Sequence, residues 1–368
     1  MAVAAALVLS CAKERVRPNP NGDTPQIAFG SGITEEDTRA TPVTGTALGI
    51  GSSYAFRVYS FRLPASNGGT TPGTPANAIG QYMPNDLQVY YNSATTTTYS
   101  SSNGINTWPP ATNDCLMFYA CYPYSIPSGT LRTITVPSGA CSNPQMQVTY
   151  ETSLDPSQQY DLMYAGTNAL YRTVVPLQFR HALTRVTFTA ILAEPSQDNA
   201  VVKVRRLVLR PVRSKGTLTV TNGNASWALS TGEYDNVDLD LSINAAEYAG
   251  NGRLANVVVN ETTPVQILPT NGDLMLLPQA VDNMELDIEL SVQKTVGGQP
   301  VTVMERNYLM LPADKPWESG KHIEYELFIA RNIIYIGVYI NRWQTEGVNG
   351  PYTAGQIAGD GGVITLEN

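Results

Sequence analysis

Charge, histidine and cysteine are all scarce in this chain of 368 residues: Asp, Glu, Lys and Arg together make up 15%, with 2 His and 4 Cys. His181 and His322 stand far apart, and there is no Cys-x-x-Cys or His-x-x-x-His spacing, so the donor set for a zinc site is missing. Also missing are a Gly-x-Ser-x-Gly elbow, a His-Glu-x-x-His pair, a P-loop and a dinucleotide fingerprint. No catalytic, metal-binding or cofactor-binding residue is assigned, and the reading is non-enzymatic. Lys and Arg number 23 against 31 Asp and Glu, a formal charge of −8. With no basic stripe interleaved with aromatics, nucleic-acid binding has no electrostatic basis. The N-terminal apolar run ending at Leu9 is too short to cross a bilayer, which takes about 20 residues. Long amphipathic helical patterns are also hard to find.

What the chain does have is 20 Tyr, 30 Gly and 25 Pro with many Thr and Asn, the composition of strands with polar outer faces punctuated by turns. Between Asp161 and Leu192, two alternating stretches flank a short turn. Val175, Leu177 and Phe179 share one face, then Val186, Phe188, Ala190 and Leu192 share another, the period of two that marks strands buried on one side. The alternation of Met284, Leu286, Ile288, Leu290 and Val292 is as strict. Further strands fall at short intervals along the chain, which argues for antiparallel sandwiches over parallel α/β sheets with helical crossovers. The length suits roughly two to three domains, and the boundary is placed near Tyr171. Loops at 64–84 and 92–112 are long enough to be functional or mobile. Asp238 and Asp240 alternate with Val237, Leu239 and Leu241 as on the solvent face of a strand, which disfavours a catalytic carboxylate pair. His181, beside a strand turn and without a Ser or Cys partner in an elbow, reads as structural.

Val8-Leu9-Ser10-Cys11 is similar to a bacterial lipobox, in which Cys11 is acylated after removal of residues before it. The basic n-region of a signal peptide is missing ahead of it. Residues 12–23, charged and rich in Pro, Asn and Gly, read as a solvated tether. Cys115, Cys121 and Cys141 are left, an odd number. Cys115 and Cys121 lie in one strand, about 20 Å apart and beyond disulfide reach. Two readings stay open, one bridge to Cys141 or three buried thiols.

Several segments together resemble the fimbrillins, the pilin family of type V pili in Bacteroidales. They are the lipobox at Cys11, the strand Ile27-Ala28-Phe29 ahead of Thr38-Arg39-Ala40, and the run from Asp161 to Ala165. The stretch from Val175 to Phe188, Leu276-Leu277-Pro278-Gln279, the stretch from Trp317 to Leu327, and an apolar strand ending at Trp343 complete the set. They span nearly the whole length in the family's order.

The resemblance implies an all-β chain of two tandem transthyretin-like antiparallel β-sandwich domains, with segments 1–11 (signal and lipobox), 12–39 (tether and removable first strand), 40–171, 172–332 and 333–368 (donor-strand segment). It implies export as a lipoprotein, an outer-membrane-anchored precursor, and maturation by a trypsin-like, Arg-specific protease. Cleavage between Arg39 and Ala40 would release the strand Gln26, Ile27, Ala28 and Phe29; Arg15 and Arg17 compete, but cutting there leaves that strand attached. The vacated groove would take a donor strand from another copy, drawn from Ile334, Ile336, Val338 and Ile340 or from Val363, Ile364 and Leu366. Implied partners are the chain itself in a surface fimbrium and accessory pilins. The stalk reading stands beside an anchor or tip subunit, and beside a monomeric surface lipoprotein that binds glycan or host protein.

Overall fold

The computed structural model describes residues 27, 29–33, 55–64, 78–83, 87–93, 96–101, 107–109, 114–126, 131–153, 159–193, 200–232, 234–240, 257–267, 273–330, 334–342 and 363–364. Among these the only regular elements are strands. They are β1 (Phe29–Ile33), β2 (Phe56–Leu63), β3 (Gly80–Gln81), β4 (Gln88–Ser93), β5 (Thr96–Ser101), β6 (Cys115–Tyr122), β7 (Leu131–Thr135) and β8 (Met146–Glu151). Next come β9 (Met163–Gly166), β10 (Val175–His181), β11 (Thr184–Leu192), β12 (Val201–Val212), β13 (Lys215–Thr221), β14 (Asn224–Leu229), β15 (Asp235–Asp240) and β16 (Val257–Val259). The last are β17 (Val265–Gln266), β18 (Leu274–Leu276), β19 (Glu285–Val296), β20 (Gln299–Met310), β21 (Lys321–Ile329), β22 (Ile334–Arg342) and β23 (Val363–Ile364). The all-β class follows from the period-two patterning.

An eight-stranded sheet runs in the order β1-β10-β9-β6-β2-β4-β5, with β3 also on β2. Both of its faces are buried. Tyr59, Phe61, Cys115, Met117, Tyr119 and Cys121 point to a four-stranded sheet of order β14-β13-β8-β7 and pack against Val148, Tyr150, Leu218 and Val220. The alternate residues Phe56, Val58, Leu116, Phe118 and Ala120 point the other way, into a second cluster with Val175, Leu177 and Phe179. Phe56 on β2 and Phe179 on β10 are three strand spacings apart along the sheet, about 14 Å if it were flat. Their ring centroids nevertheless lie 5.0 Å apart. The sheet must therefore curl around this second cluster, and its end strands β1 and β5 come into contact across the seam.

The third core lies between a six-stranded sheet of order β17-β11-β21-β22-β23, with β18 on β11, and a five-stranded sheet of order β15-β12-β19-β20, with β16 on β12. It gathers Val186, Phe188, Leu207, Leu209, Leu286, Ile288, Tyr325 and Leu327. The alternation from Met284 to Val292 thus buries its apolar set as the sequence requires.

Some details were not foreseen. The strand β14 follows a two-residue turn at Asn222 and Gly223, both with positive φ, the mirror-image turn that matches strand twist. Gly223 rests on Gly166 so closely that a Cβ on Gly166 would lie 2.9 Å from the Gly223 Cα. Through this hairpin, residues well past Tyr171 complete the sheet with β7 and β8. Within the expected long loop 92–112 sits β5, paired with β4. Two pairings are parallel, β1 with β10 and β11 with β21, each requiring a long crossover. Between β11 and β21 that crossover supplies all five strands of the opposing sheet.

Candidate assembly site: the first strand and its groove

The run Ile27 to Ile33 opens with two apolar residues spaced by two, and both are buried in the cluster inside the curled sheet. The strand itself occupies Phe29–Ile33, three residues later than the expected Gln26 to Phe29, and pairs in register from Phe29 opposite Val175 to Ile33 opposite Phe179. Phe29 meets Phe118 edge to face at 5.9 Å. On the other side of Phe118, the Trp108 ring packs at 6.0 Å. Trp108 is fully buried, and its indole N–H has no hydrogen-bond partner among the described residues. The groove beneath β1 is lined by Val175, Leu177, Phe179, Phe118 and Phe56. Its chemistry is apolar side chains plus an open backbone edge on β10, which is what an incoming strand can use. Gln26 and Ala28 lie outside the described residues, as do Cys11, Arg39 and Ala40.

At the other end of the chain, β22 pairs with β21 over nine positions from Ile334 to Arg342. Ile334, Ile336 and Val338 are buried in the third core, whereas Ile340 is 43% exposed. Val363 and Ile364 form β23, opposite Gly337 and Ile336 of β22; Leu366 lies outside the described residues. The predicted removable strand and the predicted donor thus sit in different sheets of one copy. The groove residues Phe56, Trp108 and Phe118 were not singled out from the sequence. Phe56 and Phe118 fall in strands the sequence did suggest, but nothing local marked which core either would join, and Trp108 lies outside any suggested strand.

Other residues raised by the sequence turn out to hold the fold together. His181 Nδ1 lies 2.9 Å from the Asp161 carboxylate. Gln279 and Trp317 exchange two main-chain hydrogen bonds, the Gln279 amide clasps the main chain of Arg213, and the Trp317 indole N–H donates to the Tyr325 hydroxyl at 2.9 Å. No disulfide joins Cys115, Cys121 and Cys141 among the described residues, and burial pushes the Cys121 thiol up. No cluster of three His, Cys, Asp or Glu that could hold a metal occurs among the described residues.

On comparison with known families, residues 38–343 match the fimbrillin-like family. The chain belongs to that family. It is a family of fimbrial structural proteins. A fimbrial protein from Bacteroides vulgatus, 15% identical, aligns over 87% of this chain and 99% of its own with a TM-score of 0.65, a likeness of fold. A candidate cell adhesion protein from Bacteroides ovatus is 17% identical over 88% of this chain and 100% of its own, at a TM-score of 0.45. The tip fimbrial protein Mfa3 from Porphyromonas gingivalis, truncated at its C-terminus, is 9% identical over 78% of this fimbrillin-like chain and 94% of its own, at 0.33. No curated protein matches.

Proposed function

We propose that this fimbrillin-like protein is a structural subunit of a surface fimbrium that polymerises by strand exchange and supports adhesion. In this reading the precursor is lipidated at Cys11 and held at the outer membrane. A trypsin-like protease then cuts after Arg39, and the segment carrying β1 leaves. The observation that carries it is the position of β1. It is a five-residue parallel edge strand at the seam of the curled sheet, and it covers an apolar groove with the side chains of Ile27 and Phe29. Parallel pairing is slightly weaker per residue than antiparallel pairing, so the element is suited to release once its chain connection is cut. The groove left behind is too apolar to stay open to water.

As donor we favour Val363, Ile364 and Leu366 over Ile334, Ile336, Val338 and Ile340. Extracting β22 would expose three buried aliphatic side chains, at about 1.5–3 kcal/mol each, and break nine register positions. The pairing of β23 covers two positions. In domain terms we read 40–171 and 172–332 as two sandwich units, with β10 and the β13–β14 hairpin lent back to the first.

One observation favours a second reading. Because β22 is fully paired within its own copy, the chain also suits an anchor or tip subunit that receives a donor strand without giving one. The test is Arg-specific proteolysis of the purified precursor, followed by unheated SDS gels. A stalk subunit loses the segment through Arg39 and forms ladders. An anchor or tip subunit is cut but forms no ladder with itself, and a protein that keeps β1 after cleavage defeats both.

A further inference from the structure

Of the large apolar side chains exposed among the described residues, Val296, Val301, Val303, Met304, Tyr308 and Met310 all lie on the hairpin β19–β20. Within the five-stranded sheet β20 is an edge strand, and β15 is the edge at the opposite side. We propose that these two edges form a self-association surface, with β20 of one copy adding to β15 of a second copy. This inference is independent of strand exchange and uses neither β1 nor the C-terminal segment.

Charge supplies the first argument. Reading across the sheet, Asp240 on β15 stands opposite Arg206 on β12, Arg206 opposite Glu289 on β19, and Glu289 opposite Arg306 on β20. The row alternates negative, positive, negative, positive, and among the described residues it ends positive at one edge strand and negative at the other. Setting Arg306 against Asp240 of a second copy continues the alternation, whereas β20 against β20 in the register that centres on Arg306 would oppose like charges.

Strand polarity and backbone geometry agree with that register. The four strands alternate in direction, so a second copy placed edge to edge in the same orientation meets β20 antiparallel. The two-residue turn Gly297-Gly298, with φ of +58° and +80°, closes on Val296 and Gln299 as a mutually hydrogen-bonded pair. Counting along the unbroken register from there makes Glu289 and Arg306 a non-bonded pair, so the N–H and C=O of Arg306 and Tyr308 aim outward. The same alternation carried across β12 aims those of Asp240 and Asp238 outward from β15. Pro300 also sits at an outward position, where its missing N–H blunts the hairpin tip and leaves the stretch from Thr302 to Met310 open.

Packing is consistent with the same alignment. It places Tyr308 opposite Asp238 and Leu309 opposite Val237 of the second copy, so that the buried inner-face residues Leu309 and Val237 continue one core face. On the outer face Tyr308 is 50% and Met310 47% exposed, and Arg306 lies over the Tyr308 ring while paired to Asp287. Tyr, Met and Arg are the residue types that enrich interfaces. A contact of one edge with a different edge does not close on itself, and it extends into rows of copies.

The test uses the full, uncut chain. Protein carrying Tyr308→Cys is mixed with protein carrying Asp238→Cys and treated with a short bismaleimide, and dimers are read on reducing gels. Ile79→Cys, exposed and outside the five-stranded sheet, serves as the control in place of Asp238→Cys. The expected result is about tenfold more dimer from the mixture than from the control or from either variant alone, because directly opposed residues bring their Cβ atoms within about 5 Å. Adding Asp240→Arg to the Asp238→Cys chain lowers that yield about tenfold, equivalent to about 1.4 kcal/mol. Equal yields in all mixtures overturn the proposal, and so does Tyr308→Cys cross-linking to itself as well as to Asp238→Cys.

Discussion

The two ends of the chain both finish in strands over apolar cores, but they are held very differently. At the N-terminal end, β1 lies at a sheet edge over five parallel positions, with Ile27 and Phe29 buried. At the C-terminal end, β22 lies inside its sheet between β21 and β23, with nine antiparallel positions and Ile334, Ile336 and Val338 buried. Amount of apolar burial alone would not separate them sharply. Position in the sheet does, since an edge strand can leave by breaking one ladder and an interior strand must break two.

The difference can be broken most forcefully from the groove side. Phe118→Ala removes the ring that Phe29 and Trp108 both pack against and should lower unfolding stability by about 3–5 kcal/mol, as for other buried aromatics. Urea midpoints of precursor and cleaved protein should both fall. Ile336→Ala, in the third core, should cost about 2–4 kcal/mol and should leave cleavage and release of β1 unchanged. Were release of β1 also accelerated, the two ends would be coupled through the core. Phe29→Ala should cost about 2 kcal/mol in the precursor and nothing in the cleaved protein, a split visible by comparing the same two midpoints.

The smallest effect is a pH dependence confined to β21. Burial, then the neighbouring Glu326, raises the Glu324 carboxyl, and burial raises that of Glu326. Burial and then Arg185 lower His322 from 6.5 to about 3, where its Nε2 lies 2.8 Å from the Thr187 hydroxyl. A carboxyl raised in the fold stabilises below its unfolded value and loses that contribution as pH climbs through the folded value. A lowered histidine acts oppositely, since its contribution is complete above about 6.5 and is lost as pH falls toward 3. Glu324→Gln should therefore gain stability relative to the natural chain as pH rises from about 4.5 to 7, and His322→Gln should flatten the acid limb. Urea midpoints across that range read both slopes.

Strands were legible in the sequence where apolar residues alternate strictly, as from Met284 to Val292. The sequence also carried the family through the Gln279 and Trp317 segments, whose main chains bond each other. The curl of the first sheet was not legible, because it depends on which strands neighbour one another and not on any strand's own pattern. For the same reason Trp108 was invisible as a groove residue: it lies in a polar stretch and meets Phe118 only after the chain has folded back. The Asn222-Gly223 turn was a readable signal for β14 that went unused.

The central claim is that the place of β1 can be taken by a strand from another copy. Mixing Leu177→Cys protein with Ile364→Cys protein under mild oxidation, before and after Arg-specific cleavage, tests it directly. The account predicts disulfide-linked dimers between the two variants only after cleavage has released β1. Dimers in equal yield before cleavage, or none after it, would contradict the account.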